Sequence, residues 1–142
     1  ADAVVDAGAD HPPGYTEMGW EITPQGLTDY LGKIHAEYRP AAIVITENGA
    51  SFSDGPDEYG AIRDNRRISY LDSHVSAVAV AREAGVPVNG YFVWSLLDNL
   101  EWVAGYTQRF GIIWVDYATG ERIPKDSYYW YQRLIGGSAA GS

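Results

Sequence analysis

Only two stretches of this chain can be central β-strands, and helical sequence stands before and between them. Residues 41–46 (AAIVIT) form a continuous apolar, β-branched run, too short for a helix and apolar on both faces, as a buried parallel strand reads. Residues 88–95 (VNGYFVWS) form the second. Ahead of the first, Thr23-Pro24 opens a helix, with Thr at the N-cap and Pro at the first helical position. Leu27, Leu31, Ile34 and Tyr38 recur along one face of it, and Pro40 stops it. Between the strands a second helix is expected over about 69–84, with Leu71, Val75 and Val78 as its stripe, Gly85 as its C-cap and Pro87 just beyond. Strands joined through helices pair in parallel by right-handed crossovers. Two such strands alone leave their edges open. A closed (β/α)8 barrel needs eight strands and typically about 250 residues, and this chain has 142. The expected fold class is α/β, as a piece of a larger sheet.

The remainder frames that unit. Residues 1–13 are small and acidic and read as an N-terminal arm, with a rigid turn at HPPG (11–14). Residues 51–67 read as a long polar loop, and 96–109 as a segment crowded with aromatic rings and carboxylates. A hairpin is expected over 111–117 with its turn at Ala118-Thr119-Gly120. A last helix is expected over 126–135, burying Tyr128, Tyr131, Leu134 and Ile135, before a flexible Gly- and Ser-rich tail over 136–142.

Charge and composition narrow the partners. Ten basic residues against 19 acidic ones give a net charge of −9, which argues against nucleic-acid and anionic-membrane surfaces. The absence of cysteine excludes disulfides, thiolate chemistry and Cys-ligated zinc. No apolar run approaches the roughly 18–20 residues of a membrane span, and the N-terminus lacks the order of a signal peptide. His11, His35 and His74 show no metal-ligand spacing; His35 and His74 read as helix-surface or partly buried residues. No GxGxxG, P-loop or serine-elbow motif occurs. Eleven Tyr and five Trp are many for this length. Such amphipathic rings suit surfaces that are partly wet and partly apolar, as sugar clefts and protein interfaces are.

Three features could carry chemistry. Glu47, in ITENG, stands at the C-terminal end of the first strand, the face that carries active sites in barrels; by position alone, a strand-end residue reaching solvent is the favoured reading. Trp94-Ser95 ends the second strand in the same way, where core packing is the favoured reading of the Trp by position alone. Residues 97–102 (LDNLEW) alternate acids and amides with apolar groups. Carboxylates accept hydrogen bonds from hydroxyls and an aromatic face packs on a pyranose, so this is a toolkit for a neutral sugar. All three follow strand ends and could line one pocket.

ITENG followed by YFVWSLLDNLEWVAGYTQRFGIIWVDY resembles the C-terminal part of family 1 glycoside hydrolases, the β-glucosidase family. MGWEITPQGL, DNRRISYLDSH and RIPKDSYYWYQRLI add to the likeness, which covers about 14–135. The resemblance implies a (β/α)8 barrel in which 42–46 is about strand seven and 88–94 strand eight. It implies Glu47 as catalytic nucleophile, attacking the anomeric carbon to form a glycosyl-enzyme that water then releases with retained configuration. It implies Trp94 as the platform under the glycone, Glu101 binding O4 and O6, Trp102 donating its indole N–H near O3, and Phe110 of RFG near the C6 side. Members that act on 6-phosphorylated sugars generally carry Ser and basic residues where Glu101 stands, so an unmodified glycone is expected. Leu100 replaces the Phe common in the NFEW version of the motif.

The family's general acid/base sits in an Asn-Glu-Pro motif after strand four, and that tripeptide is absent here. Glu58, Asp54 and Asp98 are the internal carboxylates that could replace it, with nothing in the sequence to select one. The resulting expectation is a partial glycosidase domain over 14–135, carrying the nucleophile half of the site and requiring an N-terminal barrel segment or companion chain, so that the chain alone is inactive. A non-catalytic sugar-binding fragment and an inactive truncated remnant are the alternatives. The expected ligand is a β-glucoside or related saccharide, with no cofactor, metal, nucleic acid or membrane, and a bacterial cytoplasm is the expected location.

Overall fold

The computed structural model describes residues 14–139. The expected arm over 1–13, with His11, and the final residues 140–142 lie outside the described residues. The elements in chain order are α1 (Pro24–Tyr38), β1 (Ile43–Asn48), α2 (Asn65–Glu83), β2 (Val88–Val93), β3 (Ile113–Val115), β4 (Arg122–Pro124) and α3 (Asp126–Ala139). Among these, β1 and β2 pair in parallel across the α2 crossover, and β3 and β4 pair antiparallel. The α/β class is as expected. Among the described residues no barrel closes, since each sheet has two strands.

The core lies between the β1–β2 sheet and the helices α1 and α2. Leu31 from α1, Val78 and Ala81 from α2, and Val86 and Val88 are buried together, with Leu27, Ile43, Ile45 and Tyr91 packed against them. The Thr28 hydroxyl donates to the Ala77 carbonyl at 3.0 Å and pins α1 to α2. The opposite face of the sheet is bare: Val44 is 49% and Phe92 58% exposed. One covered face and one bare apolar face are what a parallel sheet shows when part of its surroundings is lacking.

Several local details differ from the sequence expectation. Thr23 holds the N-cap position of α1 but its side chain makes no capping bond. The helix ends when Arg39 turns left-handed at φ 46°, its N–H bonding the His35 carbonyl, one residue ahead of Pro40. Tyr38 is exposed, outside the buried stripe. Helix α2 starts four residues earlier than the apolar period suggests, because its first turn is buried by an ion pair, Arg67 on Asp64, and not by apolar side chains. Its end is as expected, with Gly85 left-handed at φ 91°. The hairpin turn is set by Asp116, whose carboxylate accepts from the Ala118 and Thr119 amides while Gly120 takes φ 77°. Helix α3 continues past Ile135 through Ala139, and Ile135 is exposed.

Candidate active site

The direction of Glu47 comes from an irregularity in β1. In the register, Ile45 pairs with Tyr91 and Asn48 with Val93, so three steps on β1 oppose two on β2. Strict alternation from the core residue Ile45 would turn Glu47 back toward the helices. The extra residue places Thr46 and Glu47 both on the exposed side and returns Asn48 to the helix side. There Asn48 accepts from the Tyr91 hydroxyl at 2.7 Å and donates to the Tyr70 oxygen at 3.4 Å. Its carbonyl accepts the Trp94 N–H at 2.9 Å, so the strand end carrying Glu47 is bonded directly to the backbone of Trp94.

Gly49 explains why the turn after Glu47 is glycine. A Cβ there would stand 1.7 Å from the Trp94 carbonyl oxygen. The two strand ends therefore approach more closely than any side chain would allow. The Trp94–Ser95 peptide that follows is cis. Beyond it, Ser95 donates to the Leu97 carbonyl at 2.7 Å and accepts from Asn99 at 3.0 Å, folding the chain back. Glu101 caps a tight turn closed by its own backbone bonds to Gly105 and Ala104, and Trp102 stands out from that turn 95% exposed.

These pieces meet at one opening of about 390 Å³, lined by Trp20, Glu47, Asn48, Gly49, Tyr70, Trp94, Glu101, Trp102 and Phe110. All five residues singled out in the sequence are among them. Trp20, Asn48 and Tyr70 were not anticipated. Trp20 is half exposed and its ring lies 6.1 Å from that of Phe110, centroid to centroid; its signal was a large aromatic in a short polar stretch ahead of a helix. A second cavity, of about 560 Å³, lies between α2, β2 and α3 and holds apolar side chains such as Val75, Val78 and Leu134 with no carboxylate.

None of the three internal carboxylates considered as proton donors lines the opening. Asp98 is buried and fully engaged: Oδ2 accepts from Arg109 at 2.7 Å, and Oδ1 accepts from Lys125 and from the Gly111 amide, each at 2.9 Å. Glu58 is exposed on the 51–64 loop. Asp54 is half-buried and its carboxyl is pushed up by burial against the pull of Arg67, but it too stands outside the opening. Among the described residues no group of three or more His, Asp or Glu could hold a metal ion, and no helix is long and apolar enough to cross a membrane. His74 is buried, its ring stacked on Tyr70 at 3.9 Å and its Nδ1 2.8 Å from the Tyr70 carbonyl, and burial lowers its pKa.

Residues 2–139 match the model of glycosyl hydrolase family 1. The chain belongs to glycosyl hydrolase family 1. It is 52% identical over 120 residues to β-glucosidase A of Thermotoga maritima, covering 84% of this chain and 27% of that protein. It is 44% identical over 120 residues to a 6-phospho-β-galactosidase of Streptococcus equi subsp. zooepidemicus, covering 84% of this chain and 25% of that protein. The family 1 β-glucosidase structure from Thermotoga maritima in complex with isofagomine lactam superposes with a TM-score of 0.85 at 50% identity, over 91% of this chain and 29% of that one. The chain thus spans about a quarter of the length of the family 1 relatives it matches.

Proposed function

We propose that these residues form the C-terminal part, about strands seven and eight, of a (β/α)8 retaining β-glycosidase acting on β-D-glucosides, over a domain of about 14–135. Glu47 is its nucleophile. The carboxylate attacks the anomeric carbon as the aglycone oxygen leaves with a proton from an acid supplied outside these residues. Water then cleaves the glycosyl-enzyme and configuration is retained. Trp94 stacks under the glycone, Glu101 accepts from its O4 and O6 hydroxyls, Trp102 donates near O3, and Phe110 closes the C6 side.

The observation that supports this reading is the convergence of Glu47, Trp94, Glu101, Trp102 and Phe110 on a single opening although 63 residues separate the first from the last. A carboxylate facing the 6-position repels a phosphate, so Glu101 favours an unphosphorylated glycone, even though several relatives, the 6-phospho-β-galactosidase above among them, are named for a phosphorylated one. The bare face at Val44 and Phe92 suits an N-terminal barrel segment, in the same polypeptide or a companion chain, that brings the second carboxyl group to about 5–5.5 Å from Glu47. The relatives named above are bacterial, and a cytoplasmic site of action is part of this reading.

The test is covalent trapping. The barrel is completed by adding the N-terminal three-quarters of a family 1 β-glucosidase and treated with a 2-deoxy-2-fluoro-β-glucoside. The label should appear on Glu47, Glu47→Gln should abolish turnover of an aryl β-glucoside, and this chain by itself should show none. A label on another residue, or turnover by the chain alone that depends on Glu47, would overturn the assignment.

A further inference from the structure

Arg67 is 1% exposed, and every one of its five N–H donors has an acceptor. Nε donates to Asp64 at 2.9 Å. Nη1 donates to the carbonyls of Ala50 and Phe110, and Nη2 to those of Phe52 at 2.7 Å and Arg109 at 3.1 Å. Two of these carbonyls are shared with amides of the strand-end loops. Arg109 O also accepts from Phe52 N at 3.1 Å, and Phe110 O from Ser95 N at 3.1 Å. Asp64, the anion of the pair, also holds the Ser127 amide at 2.8 Å and its hydroxyl at 2.5 Å at the start of α3.

One guanidinium therefore ties together two segments that carry the opening, the turn after Glu47 through Ala50 and Phe52 and the loop bearing Phe110 through Arg109 and Phe110; the step after Trp94 joins them through the Ser95 N–H on the same Phe110 carbonyl. Arg67 is not itself among the residues lining that opening. The carbonyls it holds converge from separate loops. From this we infer that Arg67 is a positioning residue of the glycosidase site, fixing the nucleophile Glu47 against the sugar surfaces of Trp94 and Phe110. The inference rests on the assignment of Glu47 under the proposed function. Lysine offers three donors from a point and not a planar fork of five, so it leaves at least two of the acceptors without a partner.

The experiment is trapping by a 2-deoxy-2-fluoro-β-glucoside in the completed barrel, reading two quantities: the number of Glu47 sites labelled per protein and the labelling rate per site. With Arg67→Lys the number should stay at the unsubstituted level while the rate per site falls about 100-fold, the penalty of misplacing reacting groups by about an ångström. Hydrogen exchange on the same protein should speed up at Phe52 and Ser95, with the paired amides of β1 and β2 still protected. In Arg67→Ala, guanidinium at tens of millimolar should restore part of the rate and sodium chloride at equal ionic strength should not. A labelled fraction that falls while the rate per site is unchanged, or no labelled sites at all in both variants, would make Arg67 a folding residue and overturn the inference. Unchanged rate and number in Arg67→Lys would also overturn it. If the unsubstituted protein is labelled elsewhere than Glu47, the functional assignment itself has failed, and that outcome is distinct from the others.

Discussion

Removing Asp98 tests whether the loop that carries Glu101 and Trp102 is anchored by charge. In Asp98→Ala three interactions vanish together. Lys125, whose side chain is 0% exposed, loses its ion pair at 2.9 Å. The Gly111 amide loses its acceptor, and Arg109 loses a bond at 2.7 Å. Breaking a buried pair while leaving the partner charged costs about 3–5 kcal/mol, and an unsatisfied buried amide adds about 1–3. Arg109 contributes little, because it is partly exposed and keeps the Val115 carbonyl and the faces of Trp114 and Tyr117. The expected loss is about 5 kcal/mol, comparable to the whole stability of a small domain. Urea unfolding followed by tryptophan fluorescence at neutral pH measures it. The decisive comparison is the double variant Asp98→Ala/Lys125→Met, which removes the orphaned charge and fills its volume. It should recover about 3 kcal/mol relative to Asp98→Ala, since an ion pair replaced on both sides by apolar groups is close to neutral. A loss below about 1 kcal/mol in the single variant, or a double variant no more stable than the single, would refute the reasoning.

Burial, helped by the nearby Arg67 charge, lowers the Lys125 pKa from 10.5 to about 8 against the pull of Asp98. The unfolded chain then binds more protons between those values, so stability rises with pH in that window, by on the order of 1–2 kcal/mol. Above pH 10 the trend reverses, because Tyr70, Tyr91 and Tyr131, all raised chiefly by burial, lose their protons first in the unfolded state. The urea midpoint should therefore peak between pH 9 and 10, and Lys125→Met should remove the rising limb, while a flat profile in the unsubstituted chain counts against the buried ammonium. Gly49→Ala must push the Trp94 carbonyl aside by more than an ångström; an expected loss of about 3 kcal/mol or more is checked by thermal unfolding, and an unchanged melting temperature contradicts the close approach. In the completed barrel, Glu101→Gln should lower kcat/KM for a β-glucoside about tenfold or more, as loss of charged hydrogen bonds does. It should also raise the relative rate on a 6-phosphoglucoside, and equal loss on both substrates would mean that the carboxylate does not face O6.

The two parallel strands and the helix between them were legible because each is a contiguous local pattern: AAIVIT, a stripe at Leu71, Val75 and Val78, then VNGYFV. What escaped the sequence depends on contacts between distant residues. Simple alternation from Ile45 would send Glu47 into the helix layer, and only the register against Tyr91 and Val93 turns it outward. Asp98 looked like a free acid because its acidity is visible in the sequence, whereas Lys125, 27 residues further on, is not visibly its partner. Arg67 lay in a stretch read as loop for the same reason: its burial is compensated by four backbone carbonyls, which leave no mark on hydrophobic periodicity. The start of α2 was misplaced with it. The charged residues nearest the opening thus divide by partner. Asp64, Arg67, Asp98 and Lys125 are buried and satisfied, and they build the frame. Glu47 and Glu101 face the opening without an ion pair among the described residues. A carboxylate held at a strand end by a bulge, with its neighbours committed elsewhere, is placed to meet something from outside the chain. Under the proposed function that partner is an uncharged sugar, whose hydroxyls donate to the acids while its apolar face packs on the indole rings.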